Sequence, residues 1–262
     1  MRPERFAPLT PDDAALLYGE LTALDEDRAL SLAFVPDGAR GAALSAARFF
    51  AEVAAIPARV SEPMLGAIRT QWWREALDEV FGGAAVRAHP LVRGLTTLRG
   101  AAVRAEMEAA LDAVGTHLED RTFETADEAI AAHAAFEGGC AAVIGALASG
   151  RALEEATHRR VRRLSGIAGV ARALCVPPPP GRSQAIETPA QRTARSLSAG
   201  VDTHRTALRA ALADARSGER LPDAALPALL PATLAQRYLT GKPSGPFGKR
   251  AAMTRAMLTG RV

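Results

Sequence analysis

Arg69 is the residue whose neighbours account for it least. The segment 61–81 reads SEPMLGAIRTQWWREALDEVF. At about 100° per residue, Leu65, Ile68, Trp72, Ala76 and Val80 form one apolar stripe, and Arg69 falls inside it. Trp72 and Trp73 follow three and four residues on, while Thr70, Arg74 and Asp78 take the opposite, polar face. A charge buried without a partner costs several kcal/mol, so an inward Arg69 needs one. A carboxylate from another helix would make it structural. The Trp73 ring would hold it by a cation–π contact. A bound anion such as a diphosphate would make it a binding residue.

Other reactive side chains carry less. Acidic pairs and triplets occur at Asp12-Asp13, Asp25-Glu26-Asp27, Glu119-Asp120 and Glu154-Glu155. The first two stand at helix starts, where the helix dipole accounts for them; the others read as solvated helix ends. His89, His117, His133, His158 and His204 show no paired metal-ligand spacing. Gly248-Lys249 resembles the end of a phosphate-binding loop, but Pro243 stands where that loop needs glycine and Arg250 where it needs Ser or Thr. No G-x-S-x-G nucleophile turn is present.

The elements that must position these groups are helical. Hydrophobic residues make up 48% of the 262 and charged residues 23%, ordinary globular usage. Aromatics are only 5%, and Ala, Leu, Arg and Glu, all strong helix formers, dominate. No stretch alternates like a half-buried strand. Helices are expected from Pro11, over 26–34, from the Pro36-Asp37-Gly38 turn to Ile56, and from an N-cap at Ser61 to a stop at Gly82-Gly83. Further helices are expected over 99–118, 126–149, 153–174 and 191–216, with a segment broken by prolines from Pro222 and a short terminal helix after 241–246. Four consecutive prolines, 177–180, exclude helix there, and 176–190 reads as a flexible loop. The expected class is all-α: a single domain over 1–262, a helical bundle with a short C-terminal extension at 241–262.

A net charge of +3 at a pI near 9.3 does not mark a nucleic-acid binder. Cys140 and Cys175 lie far apart, as in a reducing compartment. The first residues lack the apolar core of a secretory signal, and the longest apolar stretch, 140–148, is too short to span a bilayer. A cytoplasmic protein is expected, with peripheral contact at the inner face of the membrane open to it. The basic run 159–163 and the apolar terminal helix 251–258 motivate that contact.

VSEPMLGAIRTQWWREALDEVFGG resembles the signature of a subgroup of the squalene/phytoene synthase family. That subgroup includes bacterial proteins and a mitochondrial assembly factor for respiratory complex I. AHPLVRGL, THLEDRTFETADEAIAAHAAFEGGCAAVIGAL and LPALLPATLAQRYL resemble later segments of the same family, so the likeness runs from about Leu17 to Leu239. It implies an α-helical isoprenoid-synthase bundle around a central cavity. Active members of the family join two prenyl diphosphates head to head, using Mg²⁺ held by two aspartate-rich motifs to neutralise the departing diphosphate.

In the register of the resemblance, Ala54, Ala55 and Ala58 occupy aspartate places of the first motif, with Glu52 the only acid nearby. No acid occurs over 166–182, where the second belongs. The likeness therefore implies no catalytic residue, no metal ligand and no cofactor, Mg²⁺ being expected only of an active enzyme. It leaves Arg69, Gln71, Trp72, Trp73 and Arg172 as candidate ligand-binding residues, with 159–163 as a further basic cluster. The expected function is a non-catalytic scaffold for a prenyl diphosphate or lipid, with complex I subunits as partners. The alternative is a transferase condensing prenyl diphosphates through an atypical clamp.

Overall fold

Thr10 starts the first helix by accepting a hydrogen bond from the Asp13 amide at 3.1 Å, with Pro11 at the first helical position, where a missing N–H costs nothing. The computed structural model describes residues 9–83, 85–119, 122–175, 187–217 and 220–262. The described chain is all-α, with no strand among the described residues. Its helices are α1 (Pro11–Leu24), α2 (Glu26–Ser31), α3 (Asp37–Ala55), α4 (Pro63–Gly82), α5 (Pro90–Leu95), α6 (Ala101–Leu118), α7 (Ala126–His133), α8 (Gly139–Ser149), α9 (Glu155–Ala173), α10 (Pro189–Ser196), α11 (Val201–Arg216), α12 (Leu226–Leu229), α13 (Ala235–Leu239) and α14 (Pro246–Thr259).

Most expected boundaries fall where the turn chemistry puts them. Gly83 closes α4 at φ +71°, in the left-handed region glycine alone enters freely. Three differ. Glu62, not Ser61, is the residue before α4, because Pro63 takes the first helical position. The helix expected over 191–216 is two, α10 and α11, parted before Gly200, whose φ of +72° is incompatible with a continuing helix. The helix over 126–149 contains a π-helical turn, Ala134–Gly138, between α7 and α8. The four prolines of 177–180 lie outside the described residues. The described chain resumes at a capping box in which Thr188 and Gln191 bond each other's backbone amides.

The centre of the bundle is the pair formed by α9 and the α7–α8 helix. They approach most closely through glycine: a Cβ on Gly138 would lie 2.9 Å from the Arg162 backbone, and one on Gly166 2.8 Å from the Ile130 carbonyl oxygen. α3 packs on α8 and carries α1 on its other side, α6 links α8 to α4, and α11 and α13 cover α9. Ala126–Ser149 is long and apolar enough to cross a membrane by length and composition, but most of it is buried against these neighbours, which is the position of a core helix. Within the segment 241–262, Met253 and Ala256 of α14 are buried against the 230–234 turn.

Candidate functional site

The central helices line a partly open cavity of about 240 Å³. Its apolar wall is Leu24, Phe136 and one face of α3, namely Ala47, Phe50, Ala51, Ala54 and Ala55. Its polar wall is Asp25, Arg28, Glu137 and Arg172, beside His133 and Cys140. The volume exceeds that of an apolar cavity of about 150 Å³ that takes benzene. It falls short of the roughly 300–1,000 Å³ of drug-sized sites. A slender apolar chain segment fits such a space.

Four charges at the polar wall cancel one another. Arg172, one residue from the end of α9, donates to Asp25 Oδ1 at 2.5 Å and to Glu137 Oε1. Arg28 is buried and donates to Glu137 Oε2 at 3.3 Å and to the Ala228 carbonyl at 2.9 Å. Asp25 also caps α2, accepting from the Arg28 amide at 3.1 Å. Burial opposes ionisation of Asp25, but Arg172 and Arg28 outweigh it and hold its carboxyl below the usual range. The same balance raises Arg172: burial disfavours its charge, and Asp25 and Glu137 more than restore it. Glu137 sits in the π-helical turn, a feature that often marks a functional position.

The neutral groups beside them are held neutral by burial. The His133 Nε2 lies 3.0 Å from the Thr193 hydroxyl, and burial together with Arg172 pushes its pKa down to about 3. Burial pushes the Cys140 thiol up to about 12, so it stays protonated. Behind the cavity a second network joins α2 to the C-terminal part of the chain. Buried Asp27 accepts from the Tyr238 hydroxyl at 2.5 Å and faces the Lys249 ammonium at 2.8 Å, while Lys249 also binds Glu26 at 2.5 Å. Burial and Asp27 raise the Tyr238 phenol, which stays a donor.

Of the residues singled out in the sequence, Arg172 reaches the cavity and the other four do not. Arg69 points outward, and this corrects the inward reading. The buried face of α4 is Gly66, Thr70, Trp73, Ala76, Leu77 and Val80, rotated by about 90° from the expected stripe. Gly66 decides the rotation: a Cβ there would lie 2.4 Å from Leu118 of α6, so the smallest residue marks the contact. Met64, Leu65 and Ile68 are left exposed beside Arg69. Gln71 is exposed and bonds Glu75 at 3.3 Å. Trp73 is buried edge-on to Phe49, a packing role. Trp72 does carry a guanidinium on its face, but it is that of Arg87, 4.5 Å from the ring centre, not that of Arg69.

Of the basic run 159–163, Arg160 and Arg162 are engaged by neighbouring helices and Arg159 by its own, while Arg163 is exposed. Arg160 donates to the Ala215 carbonyl at 2.7 Å near the end of α11, Arg162 pairs with Glu106, and Arg159 pairs with Glu155 at 3.1 Å. The triplet Asp25-Glu26-Asp27 is where the sequence reading fell short. The dipole explains Asp25 as a cap, but all three acids also pair with cations far along the chain. No local signal showed this, because Arg172 and Lys249 come from distant helices.

Fold and site together define an all-α bundle built around a cavity with alanines on one helix and paired charges on the facing ones. A family model for squalene/phytoene synthase matches residues 21–166, more than half of the chain. The chain belongs to the squalene/phytoene synthase family. A search among curated proteins returns no match.

Proposed function

We propose that this family member is a non-catalytic scaffold whose cavity takes a single prenyl or lipid chain. One observation carries the reading: the arginines that could clamp a diphosphate, Arg28 and Arg172, are already neutralised by Asp25 and Glu137. A diphosphate entering the cavity would meet a polar wall of no net charge and would have to displace buried ion pairs. The cavity carboxylates do not suit Mg²⁺ either. Asp25 and Glu137 are both held by arginine, and Ala54 and Ala55, at places where the resemblance puts aspartates, line the cavity without a donor. Ala58 lies in the turn beyond α3 and does not reach it. Metal-assisted condensation supplies several kcal/mol of charge stabilisation, and each 1.4 kcal/mol is about tenfold in rate.

The pure protein incubated with farnesyl and geranylgeranyl diphosphates plus Mg²⁺ is expected to release no condensation product. Farnesol is expected to bind, with its affinity lowered about tenfold or more by Ala51→Trp, which fills the apolar wall. Metal-dependent product would overturn this reading in favour of a transferase with an atypical clamp.

The process we assign to the scaffold is assembly of respiratory complex I. The surface position of its signature segment supports this. Met64, Leu65, Ile68, Arg69 and Gln71 lie outside the cavity, where a partner subunit can reach them. Deleting the gene in the source organism is expected to lower complex I activity; unchanged complex I content would remove the assembly role and leave the cavity reading standing.

A further inference from the structure

The last part of the chain is electrically unlike the rest. Between Ala224 and Val262 there is no Asp or Glu, but there are six cations: Arg237, Lys242, Lys249, Arg250, Arg255 and Arg261. Among the described residues only Lys249 of these has an ion pair. The acids of α2 that approach α14, Glu26 and Asp27, are already engaged by Lys249.

α14 has two faces. Lys249, Met253 and Ala256 turn inward, onto α2 and the 230–234 turn. Phe247 and Leu258 turn outward and are 87% and 82% exposed, the most exposed large apolar residues described. They lie eleven residues apart, about three helical turns, so both sit on one line of the helix. Ala251 and Thr254 lie between them, and the exposed Arg250 and Arg255 flank the line on either side. A line carrying two exposed apolar side chains, with one arginine on either side that has no ion pair, offers both contacts a lipid interface makes, apolar and electrostatic.

We propose that α14 docks flat on an anionic phospholipid surface, setting Phe247 and Leu258 among the acyl chains while Arg250 and Arg255 meet the acidic headgroups. A neutral bilayer lacks the complementary charge, and a soluble polyanion lacks the apolar phase. The helix is tied to the stretch that walls the cavity, since Leu24 and Asp25 line it and Glu26 and Asp27 hold Lys249. The docked face is thus anchored beside the cavity wall, although the proposal stands on α14 alone.

Flotation of the full chain tests this, with vesicles of equal parts phosphatidylcholine and phosphatidylglycerol beside vesicles of phosphatidylcholine only. The protein is expected to float with the mixed vesicles, to remain behind with the neutral ones, and to be released by salt. Each arginine near such a surface contributes about fivefold to partitioning, so Arg250→Glu with Arg255→Glu should lower it at least about twentyfold. Phe247→Ser with Leu258→Ser should lower it about tenfold or more. All four side chains are exposed, so helix content and thermal midpoint should not change, which separates lost docking from misfolding. No flotation, equal flotation with neutral vesicles, or variants that float like the parent would each overturn the proposal. So would retention on heparin without vesicle binding.

Discussion

Arg28→Met is expected to lower the free energy of unfolding by about 3–5 kcal/mol, the cost of breaking a buried ion pair by removing one partner. Arg28 joins three parts of the fold: α2, on which it stands, the Ala228 carbonyl of α12, and Glu137 in the π-helical turn. Methionine fills the volume but leaves the Ala228 carbonyl without its side-chain donor and Glu137 with Arg172 alone. The cost comes from desolvated groups left behind, not from any large intrinsic worth of the pair. At about 2–4 °C per kcal/mol for a chain of this size, the thermal midpoint should fall by roughly 10 °C.

The double variant with Glu137→Gln tests the cause. Once Glu137 is uncharged, loss of Arg28 leaves no buried anion short of a partner, so the two effects should sum to less than their separate values by about 0.5–3 kcal/mol. Urea unfolding at neutral pH measures both. A single-variant loss under about 1 kcal/mol would show that the network is not holding these helices together.

Mild acid is expected to destabilise the protein by about 4 kcal/mol between pH 7 and pH 5, through His133 and His117. Both are buried. Burial and Arg172 set His133 at about 3, and burial with Arg192 sets His117 at about 4, against an ordinary value of 6.5. A pKa lowered in the folded state means that the unfolded chain binds the proton first. Stability is therefore whole above about 6.5 and is lost as pH falls toward the folded values. At pH 5 each unfolded imidazole is almost fully protonated and each folded one is not, which costs about 2 kcal/mol per histidine. Asp25 does not contribute in this window. Its carboxyl is depressed, so its contribution is lost only in stronger acid, below its ordinary value of 3.8.

His117→Leu and His133→Gln should each remove about half of the loss between pH 7 and pH 5. His117→Leu should also cost little at neutral pH, because neither ring nitrogen has a hydrogen-bond partner among the described residues. Urea midpoints across the range report both effects, and a midpoint flat from pH 7 to pH 5 would remove the histidines from the account.

Different physical scales explain which features were legible in the chain. Gly83 and Pro11 act within one turn, through backbone dihedrals and a missing N–H, and their helices end and begin where those residues stand. The π-helical turn at 134–138 ends at Gly138, next to Gly139, but nothing in those residues alone marks an extra residue in the turn. It lies in an otherwise regular alanine-rich helix and carries Glu137 toward Arg28 and Arg172. Apolar periodicity placed Leu65 and Ile68 inside and Arg69 with them. The packed helix turned instead on Gly66, because the Leu118 side chain packs directly onto the α4 backbone there and leaves no room for a Cβ, whatever the apolar pattern favours.

Composition, caps and the QWWRE segment were enough for an all-α chain and for its family, because helix propensity is local and a signature is read residue by residue. The rotation of α4, the outward Arg69 and the cancelled charges of the cavity required the assembled bundle. A helix can bury either of two adjacent faces at similar local cost, and only the neighbour it meets selects one. A carboxylate at 25 likewise becomes a part-buried ion pair only when a guanidinium at 172, on a separate helix, is brought to 2.5 Å.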